Sequence, residues 1–132
     1  MKALIIAMLI GLLVISIEAA VSVTTDTVID TDNNLEWQLE NPGKMRWRDG
    51  VTYCKNLKLK NKSDWRLPDK KTLELGSKLA TYFTGIKPVF FWTSTDYEPD
   101  REKSWLVNLV YGFLGYDDGG FSYDVKCVRT FE

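Results

Sequence analysis

Two cysteines, Cys54 and Cys127, stand 73 residues apart behind an N-terminal segment that reads as an export signal, and together these features limit what the chain can fold into. Lys2 is followed by an uncharged run over 3–17 with nothing more polar than Ser16, then by the small residues Ala19 and Ala20. A bilayer-spanning helix needs about 20 apolar residues, whereas a signal core needs about 7–15 and ends in small residues. Residues 1–20 are therefore expected to be a signal peptide and 21–132 a single exported domain, periplasmic or at the cell surface. Cleavage after Ala20 would put Glu18 at the −3 position. Cleavage after Ala19, or an uncleaved anchor, stays open, and in the latter case this segment is the only membrane contact. An exported chain enters an oxidising space, where two cysteines usually pair, the alternative being two buried thiols. A Cys54–Cys127 bridge would close a loop worth about 4 kcal/mol in chain entropy.

Composition removes several functions. A chain of 132 residues holds one domain, and 17 basic against 18 acidic residues leave no electrostatic footprint for nucleic acid. There is no histidine, so neither a Ser-His-Asp triad nor a His-ligated zinc site can be built. Two cysteines exclude a four-cysteine metal site as well. The expectation is a non-enzymatic protein without cofactor or metal.

Along the mature chain, Val28 and Ile29 precede the turn cluster Asp30-Thr31-Asp32-Asn33-Asn34. Leu35, Trp37 and Leu39 then alternate with Glu36, Gln38 and Glu40, which predicts a hairpin with one wet face. Trp47, Val51, Cys54 and Leu57 share one face of a helix over about 46–59, although Gly50 weakens it. The basic run Lys55, Lys58, Lys60 and Lys62 reads as its solvated end. Asp69 is placed to cap a second helix over 70–83, with Leu73, Gly76, Leu79, Ala80 and Phe83 on one side. The run 89–92 reads as a buried strand, 93–103 as an exposed polar loop, and 104–111 as a strand with Trp105, Val107, Leu109 and Tyr111 on one face. Asp117-Asp118-Gly119-Gly120 reads as a hairpin tip before a last strand over 121–131. Strands, two helices, then strands make an α+β domain.

Several pieces in order resemble a known family. They are Trp37-Gln38, Trp47 ahead of Tyr53-Cys54, Asp64-Trp65-Arg66-Leu67-Pro68, Phe91-Trp92-Thr93-Ser94-Thr95, and Val125-Lys126-Cys127-Val128-Arg129. The chain is similar over residues 28–129 to the Lcl C-terminal domain family, named after a bacterial collagen-like adhesin. The resemblance implies a C-type-lectin-like fold, two helices packed on twisted antiparallel sheets, with relatives among the formylglycine-generating, sulfatase-modifying enzymes. It implies adhesion or glycan binding rather than catalysis, since those enzymes use cysteines close together and these two fall on scaffold positions. Carried over residue by residue, it implies scaffold roles for Trp37, Trp47, Trp65, Arg66, Leu67, Pro68, Trp92 and Arg129, and it supports the disulfide. Trp65 is expected to be buried and Arg66 to bond carbonyls or a carboxylate.

The binding residues are expected in the 93–103 loop and the 115–120 tip: Asp96, Tyr97, Glu98, Asp100, Arg101, Tyr116, Asp117 and Asp118. Aromatic rings beside carboxylates suit a sugar, which offers apolar C–H faces and hydroxyl donors. Glu98-Pro99-Asp100 is similar to the tripeptide with which C-type lectins hold calcium. The companion Trp-Asn-Asp is missing, since Leu106-Val107-Asn108 follows Trp105, and Arg101 and Lys103 stand ready to neutralise the acids, so no metal is expected. The expected partner is a glycan or an envelope or surface protein. The alternative is an assembly subunit that docks onto other envelope proteins by a sheet edge.

Overall fold

A computed structural model describes residues 20–132, so the expected signal peptide over 1–20 lies, but for its last residue, outside the described residues. The chain opens with strands β1 (Val21–Val23), β2 (Thr27–Asp30) and β3 (Leu35–Gln38), followed by a short β4 (Lys44–Arg46) leading into helix α1 (Trp47–Asn56). Helix α2 (Lys70–Ser77) and a 3₁₀ turn over Ala80–Tyr82 come next. Then follow β5 (Phe90–Asp96), β6 (Lys103–Asn108), β7 (Leu114–Asp118), β8 (Ser122–Asp124) and β9 (Val128–Thr130). One sheet has the order β1-β2-β3-β9 and the other β4-β8-β5-β6-β7, antiparallel except where β5 meets β8. The expected α+β class is borne out.

The first hairpin forms as its turn chemistry predicts. Asp30 accepts from the Asn33 side chain at 2.7 Å, and Asn34 takes φ +54°, which Asn tolerates better than most residues. The expectation of a wet outer face fails, however, because all four residues of β3 are buried. Val28, Leu35 and Trp37 pack with Leu73, Phe83, Phe91 and Val107 in one core. On the other side Gln38 donates to the Tyr53 hydroxyl at 2.8 Å and accepts from the Cys127 N–H, while Glu36 faces Arg129. Strict alternation shows two faces but not what covers the polar one.

The second core lies on the other side of the five-stranded sheet, where Cys54, Trp65, Leu67, Trp92, Leu106, Val125 and Cys127 meet. Gly50, which weakened the prediction of α1, is required there: a Cβ would lie 2.9 Å from a Val125 methyl. Gly76 does the same for α2, since a Cβ would sit 2.7 Å from the Trp37 ring. Asp69 caps α2 as expected, accepting from Thr72 N–H at 2.7 Å. The helix is shorter than its apolar period suggests. After Ser77 the N–H groups of Lys78 and Leu79 bond three residues back, tightening the turn so that Leu79 and Phe83 still reach the first core.

Cys54 and Cys127 are joined, tying α1 to the approach of β9 with Cα atoms 5.4 Å apart. Such a bond belongs to a chain that matures in an oxidising space. No helix among the described residues is long and apolar enough to cross a membrane.

The Trp-Arg-Leu-Pro segment divides its roles differently from the expectation. Trp65 and Leu67 are buried, but Arg66 is exposed. Arg66 pairs with Val128 through its backbone and reaches only Thr130 with its side chain. The arginine that binds carboxylates is Arg129, with Nη1 2.8 Å from Glu36 Oε1 and Nε 2.6 Å from Asp64 Oδ1. Its hydrogen bond holds the Asp64 carboxyl below the usual carboxylate range.

Candidate functional site

The segment expected as an open loop is a tight turn between two strands that extend into it from either side. β5 runs on through Asp96 and β6 begins at Lys103, leaving a turn over 97–102 closed by Asp100 N–H to Tyr97 C=O and Lys103 N–H to Asp100 C=O, both 2.9 Å. Asp96, Glu98 and Asp100 each have a cation, while Glu102 forms no ion pair among the described residues. Arg101 lies 3.7 Å from Asp96 and 3.8 Å from Glu98, and Lys103 bonds Asp100 at 2.9 Å. The Lys103 hydrogen bond lowers the Asp100 pKa, and Asp100 raises that of Lys103.

The predicted residues fall on two faces of the sheet. In the β6–β7 register Trp105 opposes Tyr116, and the Tyr116 ring stacks on Tyr97 at 3.8 Å with both rings edge-on to Trp105. Lys70, in the first turn of α2, places its ammonium 4.9 Å over Trp105, so this is the α2 side. Asp117 points the other way and accepts from the Tyr123 hydroxyl at 2.5 Å, which raises the tyrosine's pKa. The expected hairpin tip is the end of β7. The chain then leaves for β8, on the far side of β5 and β6, so residues 121–131 form two strands in two sheets.

A cleft of about 570 Å³ opens between the start of α1 and the ends of β5, β6 and β7. Arg46, Trp47, Arg48 and Asp49 form one wall; Asp96, Arg101, Glu102, Ser104 and Asp118 to Gly120 form the other. The walls are fixed to each other. Trp47 donates its indole N–H to Thr93 C=O at 2.9 Å and its backbone N–H to Gly119 C=O at 3.1 Å. α1 has no side-chain cap, and Arg46 and Arg48 form no ion pair among the described residues. Ser104 is 6% exposed, lines this space, and its hydroxyl has no hydrogen-bond partner among the described residues. Asp118 turns one oxygen to the Gly120 N–H at 2.9 Å.

Of the predicted binding residues the cleft gathers Asp96, Arg101 and Asp118. Tyr97 and Tyr116 lie on the other side, Asp100 and Asp117 are bonded to Lys103 and Tyr123, and Glu98 approaches the cleft only through Arg101. The sequence reading missed Arg46, Arg48, Asp49, Glu102 and Ser104, and it assigned Trp47 to the scaffold alone. The available signal was Arg46-Trp47-Arg48-Asp49, an aromatic among charges at a helix start. Lys126 was missed too: it is fully buried, its ammonium bonded to Leu39 C=O, Glu40 C=O and Asn41 Oδ1 at 2.6–3.1 Å.

A disulfide-tied α+β domain with two cores and an open polar cleft is the class these features define. Residues 26–129 match the Lcl C-terminal domain family, and the chain belongs to it. Comparison with curated proteins found no match.

Proposed function

We propose that the protein is an exported, non-enzymatic recognition module that binds a glycan or a protein segment at the cell envelope through the cleft at the start of α1. The cleft's lining carries this reading. Guanidinium donors alternate with carboxylate acceptors around an indole and a free serine hydroxyl, and every sugar hydroxyl both donates and accepts. Membership of the Lcl C-terminal domain family supports an adhesin-like module. A glycan-array screen of the exported protein, with and without calcium, is the first test. Arg46→Ala and Arg48→Ala should each weaken a confirmed hit about tenfold, or ~1.4 kcal/mol, without moving the melting temperature. A hit indifferent to both variants would remove the cleft from the reading. A blank array would favour the second reading, an assembly subunit docked onto other envelope proteins, for which the exposed aromatic flank of β7 speaks.

A further inference from the structure

Of the seven large hydrophobic side chains most open to solvent among the described residues, five fall between Tyr111 and Phe121, on and beside the edge strand β7. Exposed edges are usually blunted with charge. The opposite edge, β4, carries exposed Lys44 and Arg46, whereas β7 presents Leu114 and Tyr116.

The backbone shows how much of that edge is open. The Asn108 N–H donates to Phe113 C=O at 2.7 Å, which sets the phase of the β6–β7 ladder. Phe113, Gly115 and Asp117 turn their backbone groups towards β6, and Leu114, Tyr116 and Asp118 turn theirs outward. Asp118 is already closed, its N–H donating to Asp117 Oδ1 at 2.8 Å and its C=O accepting from Phe121 N–H at 3.2 Å. Among the described residues the N–H and C=O groups of Leu114 and Tyr116 are left unpaired.

We infer that this edge is a self-association site, where β7 pairs antiparallel with β7 of a second copy about a two-fold axis through Gly115. That register alone uses the open groups and no others. Leu114 exchanges two hydrogen bonds with Tyr116 of the second copy, the symmetry repeats them, and four bonds satisfy all four groups of each copy. A shift to an axis at Tyr116 would require the occupied groups of Asp118. The side chains agree with the register: Leu114 faces Tyr116, an aliphatic–aromatic cross-strand pair, Phe113 faces Asp117, and no like charges oppose each other. The glycine pair at the axis carries no side chains that could clash across the seam on its face of the sheet. The result is a continuous ten-stranded sheet carrying two clefts.

Light scattering and sedimentation of the disulfide-intact exported protein should show its mass doubling with concentration. The dissociation constant should be on the order of 10 µM, because one strand pair buries less than the ~1,600 Å² of a standard interface. Leu114→Lys, at an exposed position, should weaken the dimer at least tenfold with no change in melting temperature. A Gly115→Cys chain should crosslink to itself, since a residue on the axis meets its own copy, whereas Phe113→Cys should not. Phe90 lies 3.3 Å from the new Cβ, so the melting temperature of Gly115→Cys is measured alongside. A protein monomeric at every concentration, a dimer indifferent to Leu114→Lys, or crosslinking at 113 instead of 115 would overturn the inference. So would a monomer that takes an extended foreign peptide along β7.

Discussion

Replacing Arg129 with Met tests whether the buried ion network sustains the fold. The Arg129 side chain is 7% exposed, its partner Glu36 5% and Asp64 61%, so the two carboxylates lose very different things when the guanidinium goes. Asp64 regains water, and a pair of that exposure is worth under about 1 kcal/mol. Glu36 stays enclosed without a cation, and breaking a buried pair from one side costs about 3–5 kcal/mol. The expected loss is about 4 kcal/mol, a large part of the roughly 5–15 kcal/mol that holds a domain together. Urea unfolding followed by circular dichroism would read it as a lower midpoint at unchanged slope. Removing the stranded charge as well should undo most of the damage. Arg129→Met with Glu36→Leu is expected within about 2 kcal/mol of the original protein, since apolar replacement of a whole buried pair is often near neutral. A single-variant loss below about 1 kcal/mol, or a double variant as unstable as the two singles summed, would refute the reasoning.

Reducing the Cys54–Cys127 bond should cost about 4 kcal/mol, read as a lower melting temperature in dithiothreitol, and mass spectrometry of untreated exported protein should find no free thiol. Arg66→Ala should leave the unfolding free energy from urea titration within about 0.5 kcal/mol, because the side chain reaches only Thr130. Burial pulls the Lys126 ammonium down to about 7 from 10.5, with Glu40 and Asp124 drawing it back up in part. Between those values the folded protein holds fewer protons than the unfolded chain, so Lys126 makes stability rise with pH through that window and contributes no slope below about 7. Melting curves from pH 7 to about 9.5 should show this slope in the original protein and a flatter one in Lys126→Met; parallel curves would refute it.

What could be read from the sequence was local. The turn at Asp30, the Asp69 cap and the apolar face of α1 depend on neighbours within a few residues. The disulfide was legible because compartment and count left one pairing. What stayed hidden depends on contacts across most of the chain: Glu36 looked solvent-facing because its partner lies at Arg129, and Arg66 was given a role that its neighbour on β9 performs. The cleft was half legible for the same reason. Asp96, Arg101 and Asp118 stood in polar segments, but the wall of Arg46, Trp47 and Arg48 comes from a helix start that only the fold brings opposite them.

Five consecutive residues near the C-terminal end complete the molecule. Val125 fills the space above Gly50, Lys126 gathers the carbonyls of Leu39 and Glu40, Cys127 meets Cys54, Val128 pairs with Trp37, and Arg129 neutralises Glu36. Without them neither core is closed and the acid of β3 has no cation, so the rest of the chain gains little from ordering on its own. Folding then waits on contacts of very long sequence separation, which makes it slow, and leaves it all-or-none with respect to that pentapeptide.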